Sequence, residues 1–279
     1  MSVTALLALC CDNCDMKKEL KVEDKNDALV LLHTTMGDIT VELFNDTHLH
    51  RDNFLRLVKD GFYDGVLFHR VIDEFMIQTG DPKSKKAVSG ESLGEGDPGY
   101  TIEAEITYPK HFHKYGALAA ARTADSVNPE RRSSGSQFYI VTGKKQSAQR
   151  LEAMERNETH RKMEDYFHKL ASEHADEIKR MRLDRDSVGL ENLRLELGRQ
   201  TEEAVKPFTY PEEIKEAYTT VGGTPHLDGG YTVFGQVVSG MDVVEKIQKV
   251  ETDEGDRPKE DVRIISAKVL NNIPGESNK

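Results

Sequence analysis

Arg70 and Gln78 are the residues whose setting suggests chemistry: a guanidinium and an amide interrupt the run F-H-R-V-I-D-E-F-M-I-Q-T-G-D at positions 68–81. Apolar residues alternate with polar ones, Val71, Phe75 and Ile77 against Arg70, Gln78 and Thr79, with Asp73-Glu74 between two short runs. The pattern predicts two strands joined by a tight turn and closed by Gly80-Asp81-Pro82. Such a hairpin sets Arg70 and Gln78 beside Phe75 and Met76, a greasy patch with two hydrogen-bonding groups. A patch of this kind suits an apolar ring held on the wall while a donor addresses one polar atom beside it.

Other elements must hold that hairpin in place. Residues 29–35 and 39–44 read as strands around the turn Met36-Gly37-Asp38. Asp46 or Thr47 can cap the helix that follows, in which Phe54, Leu57 and Val58 recur at helical spacing before a stop at Asp60-Gly61. Residues 116–122, G-A-L-A-A-A-R, fit a helix by alanine content, but also a strand where a peptide must lie against backbone. Residues 125–134 form a polar loop, and 136–142 and 231–237 have strand composition. Val243, Val244 and Ile247 mark a helix begun after Ser239-Gly240; a turn-rich loop at 253–259 then leads to a closing strand at 262–270. Residues 82–99 read as an exposed loop. Within it Gly90, Ser92 and Gly94 match the hydrolase pattern G-x-S-x-G, which requires a strand before the serine and a helix after it, and neither is encoded.

The segment at 68–81 resembles the active-site segment of the cyclophilins, the peptidyl-prolyl cis-trans isomerases. Two further matches follow in the family's order: G-S-Q-F-Y-I at 135–140, and Leu227-Asp228-Gly229 running on to Val233-Phe234-Gly235. The resemblance, to a bacterial-like member, covers residues 28–145 and 219–270. It implies a mainly β protein with α-helices, an eight-stranded antiparallel barrel capped by two helices, and it makes 116–122 a strand at the substrate groove. The implied division is a tail or linker at 1–27, barrel at 28–145, a helical insertion at 146–217, barrel again at 218–272 and a tail at 273–279. A barrel of eight strands is filled by its own side chains, so the site belongs on its outside.

An X-Pro bond turns slowly because amide resonance sets a barrier of about 18–20 kcal/mol. In the twisted transition state the prolyl nitrogen regains a lone pair. A cation donating to that nitrogen grips the twisted form more than the planar one, which is the differential binding that accelerates a step. The resemblance gives this role to Arg70, planar and always charged, with Gln78 orienting it and bonding substrate backbone. Phe75, Met76, Tyr139 and Leu227 would line the proline pocket, Arg122 would offer main-chain groups to the residue before proline, and Ala121 and Gln137 belong to the same groove. Taken singly each has an ordinary reading, such as Arg70 in a surface ion pair with Glu74. Four positions depart from the best-known eukaryotic pattern: His226 stands for Trp, Tyr139 for Phe, Tyr231 for His and Arg122 for Asn. The altered wall implies weak cyclosporin binding. His226 is read as a pocket wall, because isomerisation transfers no proton, and His111 and His113 as a surface pair.

The chain has 279 residues and a net charge of −11, with 31% charged residues. That balance gives nucleic-acid binding no electrostatic support. No apolar run approaches the roughly 20 residues needed to cross a bilayer. The three cysteines, Cys10, Cys11 and Cys14, precede the body. Cys11-x-x-Cys14 lacks a second ligand pair at zinc-finger spacing, so neither metal nor cofactor is expected. The apolar run at 3–9 faintly resembles the end of a bacterial lipoprotein leader, so cytoplasm and cell envelope both stay open. A charged linker follows at 15–27, with nine charges in thirteen positions.

Between positions 145 and 218 the character changes. Met163, Phe167, Leu170, His174, Ile178 and Met181 fall on one helical face, which predicts a single helix over 147–183, roughly 55 Å long at about 1.5 Å per residue. Asp186 or Ser187 then caps a second helix with Leu190, Leu193 and Leu197 on one face, and Pro211 opens a short third. Two readings follow: a hairpin that buries its own stripes, or a projection beside the groove that presents a surface to a partner. The function expected is peptidyl-prolyl isomerisation assisting protein folding, by a monomer acting on proline-containing peptides and partly folded proteins. The alternative is a chaperone or protein-binding module whose insertion holds clients.

Overall fold

The computed structural model describes residues 28–88 and 90–270. The cysteines, the leader-like run, the charged linker and the last nine residues lie outside this range. Elements in chain order are β1 (Ala28–Thr34), β2 (Gly37–Leu43), α1 (His48–Lys59), β3 (Arg70–Ile72), β4 (Met76–Thr79), β5 (Thr101–Ile102), β6 (Ala117–Ala120), β7 (Ser133–Ser134) and β8 (Phe138–Val141). There follow α2 (Ala148–Glu173), α3 (Ala175–Leu183), α4 (Ser187–Ala204), α5 (Glu212–Thr220), β9 (Val233–Ser239), α6 (Met241–Gln248) and β10 (Ile264–Val269). Eight strands form one antiparallel sheet in the order β10-β1-β2-β9-β6-β8-β4-β3. The sheet curls until its ends meet: the Phe68 amide donates to the Val262 carbonyl at 2.9 Å, and the Ile264 amide to that of Val66 at 2.9 Å.

Strand periodicity of two sorts the side chains. Val30 and Leu32 of β1, Ile39 and Val41 of β2, Ile77 of β4, Leu118 of β6 and Ile140 of β8 point inward, joined by Phe54 and Leu57 of α1 and Val244 and Ile247 of α6 in one continuous core. The alternate positions of β4, β6 and β8, namely Met76, Ala117, Ala119, Tyr139 and Val141, form a second, smaller cluster on the outer face. A filled barrel with a greasy outer patch is the arrangement the site needs.

Three sequence expectations change. Helix α1 is preceded by Thr47, but no cap side chain bonds its first amides. Glu105, far along the chain, accepts instead from the Leu49 and His50 amides at 3.0 and 2.9 Å, while Asp46 engages Lys110 and His111 at 2.7 and 2.8 Å. The long helix expected over 147–183 is interrupted at His174, where φ is −98° and ψ 15°. The imidazole there meets Glu177 at 2.9 Å, and the ladder resumes with the Ile178 amide on the His174 carbonyl. His111 and His113 are no surface pair: His111 stacks on Phe44 with ring centroids 4.0 Å apart, and His113 is 1% exposed. No described helix is long and apolar enough to cross a membrane.

Candidate functional site

Strand register builds the site. Arg70 pairs with Gln78 across β3 and β4, Gln78 with Tyr139 across to β8, and Tyr139 with Ala119 on β6. Partners in register share a face, so these residues form one row on the outer wall. Beside the row lies a cavity of about 110 Å³ lined by Arg70, Phe75, Met76, Gln78, Ala121, Arg122, Tyr139, Leu227 and Tyr231. Ligand clefts for drug-sized molecules run to roughly 300–1,000 Å³. This one fits a small ring.

The two remaining residues singled out from sequence stand next to it. Gln137 accepts from the Gln78 side chain at 3.0 Å and donates to the carbonyls of Gly94 and Gly96 at 2.8 and 2.6 Å. The loop over 82–99 is therefore tied to the site. Its other anchor is Asp81, fully buried, which accepts from the Lys83, Gly94 and Gly96 amides. Ser92, the serine of the hydrolase-like pattern, sits in this loop after the turn Pro82–Lys86, with no strand before it. His226 stacks on Phe75 with centroids 5.5 Å apart and planes 25° from parallel. Burial first, and then the nearby His113, hold its imidazole below the ordinary value, with Asp228 opposing.

Arg70 is half-exposed and lines the cavity, and its Nε reaches Asp256 Oδ2 at 3.4 Å, a long contact and its one side-chain hydrogen bond among the described residues. Glu74 pairs with Lys144 instead. The Gln78 amide, expected to orient Arg70, gives one of its two hydrogens to Gln137. Arg122 is drawn back along the protein: Nε donates to the Gly230 carbonyl at 2.8 Å, Nη1 meets Asp125 at 2.6 Å, and the guanidinium carbon lies 4.4 Å from the Tyr231 ring centroid.

Three residues that sequence reasoning gave no role hold the pocket floor. Tyr139 is 4% exposed, and its hydroxyl lies 3.0 Å from His113 Nε2. His113 Nδ1 lies 2.9 Å from Asp228 Oδ1, and the Tyr218 hydroxyl donates to Asp228 Oδ2 at 2.6 Å. A carboxylate only accepts. His113 Nδ1 thus carries a hydrogen, and its Nε2 shares the second hydrogen bond with the Tyr139 hydroxyl. Tyr218 lies on α5, so that helix is hydrogen-bonded through Asp228 and His113 to the ring beneath the cavity. Burial, ahead of any charge, raises both tyrosine hydroxyls well above their ordinary values, which keeps them donors. The chain re-enters the barrel just beyond α5 at Gly223, with φ of 141°; a side-chain carbon there would fall 2.2 Å from the His113 carbonyl oxygen. Only glycine allows that approach.

Comparison with known proteins converges on one description. The family profile described as cyclophilin type peptidyl-prolyl cis-trans isomerase/CLD matches residues 29–179 and 216–269. A Staphylococcus saprophyticus protein named as a peptidyl-prolyl cis-trans isomerase is 30% identical over 246 residues, covering 88% of this chain and 93% of its own. A Staphylococcus aureus protein named likewise is 31% identical over 250 residues, covering 89% and 95%. Among solved structures, a cyclophilin type peptidyl-prolyl cis-trans isomerase of Cryptosporidium parvum superposes with a TM-score of 0.51 at 18% identity, over 89% of this chain and 100% of that one. The same protein, solved in the presence of the dipeptide Ala-Pro, gives 0.50 at 19% identity over 88% and 99%.

Proposed function

This chain belongs to the cyclophilin-type peptidyl-prolyl cis-trans isomerase family, and from that premise we propose that the small outer cavity beside Arg70 is where the X-Pro bond turns. The observation that carries the reading is the register row Arg70, Gln78, Tyr139 with Phe75 and Leu227 around one cavity. The proline ring occupies that cavity against Phe75, Met76 and Leu227, over the face of Tyr139. Arg70 donates to the prolyl nitrogen as conjugation is lost and the nitrogen becomes pyramidal, a donor aimed at charge that exists only in the twisted state. Gln78, held by Gln137, meets the substrate backbone from one side, and the main chain of Arg122 meets the residue before proline from the other. No bond breaks and no proton moves, so no cofactor is needed.

One charge-assisted hydrogen bond contributes roughly 1.5–3 kcal/mol, and about 1.4 kcal/mol is tenfold in rate. Arg70→Ala therefore lowers kcat/KM by about ten- to a hundredfold with the fold retained. The assay is exchange NMR on a short blocked X-Pro peptide, of which Ala-Pro is the minimal unit; wild-type protein that leaves its exchange rate unchanged refutes the proposal. His226 stacked on Phe75 gives a smaller wall than an indole would, and weak cyclosporin binding follows.

A further inference from the structure

A second and larger groove, of about 700 Å³, runs alongside the prolyl cavity. Arg122 and Tyr231 line both, so the two are neighbours across a shared wall. One bank of the groove is the barrel, from Arg131 and the loop at 228–231; the other is the insertion helix α2, through Met154, Glu158, Arg161 and Lys162. The insertion thus builds a surface that continues from the site.

We propose that this groove receives the stretch of substrate polypeptide flanking the proline, and that it favours a flank carrying an acidic side chain. The inference rests on the prolyl cavity being the reaction site. Its own support is continuity and charge. At the rim Arg122 and Arg131 meet Asp125 at 2.6 and 3.1 Å, Arg161 and Lys162 meet Glu158 at 2.7 and 3.7 Å, and Arg161 also meets Asp165, outside the lining, at 2.7 Å. Asp228, the remaining acid, has both oxygens engaged by His113 and Tyr218. In a chain of net charge −11, the lining of this groove holds four cations, Arg122, Arg131, Arg161 and Lys162, against three carboxylates, Asp125, Glu158 and Asp228. A polypeptide leaving the cavity past Tyr231 enters this groove, whose far bank includes Arg161. Below the rim, Met154 and Tyr210 give the segment an apolar floor.

The test uses the full chain and three probes: a short blocked X-Pro peptide, and two longer peptides whose flanks on both sides carry either glutamates or lysines. Exchange NMR gives kcat/KM for each, and fluorescence anisotropy gives the binding of the two long ones. The glutamate peptide is expected to exceed the lysine peptide by about fivefold in both readouts at low salt, with the difference shrinking as salt screens it. Arg161→Glu, an exposed position outside the cavity, is expected to abolish or invert that preference and leave the short peptide unchanged. Equal values for the two long peptides, or an equal loss on all three in Arg161→Glu, would overturn the inference. Failure on the short peptide would instead overturn the reaction-site reading, and anisotropy alone then decides the groove.

Discussion

The two ends of the helical segment from α2 to α5 are built by different rules. At its base Leu151, Tyr210, Ile214 and Tyr218 are buried, with Tyr108, Phe112, Met154 and Phe208 packed around them. Polar groups there are matched as well: buried Glu155 accepts from the Tyr210 amide at 2.8 Å and meets Lys215 at 3.1 Å, and Thr159 accepts from the Phe208 amide at 2.8 Å. At its far end α3 buries no residue, and Leu183 and Val188 are 75% and 69% exposed. Ion pairs within single helices, such as Arg161 with Asp165 on α2 and Arg199 with Glu203 on α4, decorate the exposed helix faces between the two ends and contribute little each. The base is thus part of the scaffold of the site, and the tip is joined to it only through helix packing.

The largest effect that tests this contrast is Leu151→Ala. Deleting a buried leucine costs about 2–5 kcal/mol, and because this leucine packs on Tyr218, the loss should appear in urea unfolding of the whole chain. A separate early transition confined to helix signal would break the picture of a base fused to the barrel.

Acid supplies the next test, from the barrel side. His69 precedes Arg70 and is 4% exposed; burial above all, with Asp81 opposing, pushes its pKa down from 6.5 to about 4. The unfolded chain takes up a proton near pH 6.5 that the folded chain refuses until about pH 4. Stability is therefore full above pH 6.5 and falls between pH 6.5 and 4, by roughly 3 kcal/mol in all. His69→Phe should flatten that slope in a pH series of unfolding curves. If barrel and insertion base are one cooperative unit, tyrosine fluorescence and far-ultraviolet helix signal fall together.

Tyr218→Phe comes third, at about 1–3 kcal/mol, because it strands an oxygen of buried Asp228. This substitution also sharpens the comparison. Through His113 it touches the hydrogen bond that fixes Tyr139, so kcat/KM on a short proline peptide should fall as well. Tyr139→Phe on top of it should add less than it does alone, since both act on one chain of hydrogen bonds. Full additivity would separate the insertion from the pocket floor.

What the sequence made legible, and what it hid, follows the range of the forces involved. The strands of the barrel could be read because alternation is a local signal: Val30, Leu32, Ile39 and Val41 announce their face within a few positions. Of the nine residues lining the cavity, seven stand in the three motifs that carry the family resemblance and two, Ala121 and Arg122, in the alanine-rich strand between them, since a motif carries strand, turn and side chain together. Partnerships across long separations were hidden. Arg70 meets Asp256 at a separation of 186 positions, and His113 meets Asp228 at 115. His113 next to His111 in a polar loop looks like a surface residue until Gly223 brings the returning chain over it. The break at His174 was hidden for another reason. No proline or glycine marks it, and the apolar spacing runs through it unchanged.

Leu183→Ala closes the series with the smallest expected change. Its side chain is 75% exposed at the end of α3, and surface substitutions away from packed features usually stay within about 0.5 kcal/mol. Isomerisation of both short and long peptides should also be unaltered, because the groove beside the site is lined by α2 at its base and not by α3. An effect on long peptides alone would mean that substrate reaches the tip, extending the binding surface along the whole hairpin. An effect on stability of more than 1 kcal/mol would mean that the tip packs in solution against something the base does not, and the division drawn between the two ends would fail.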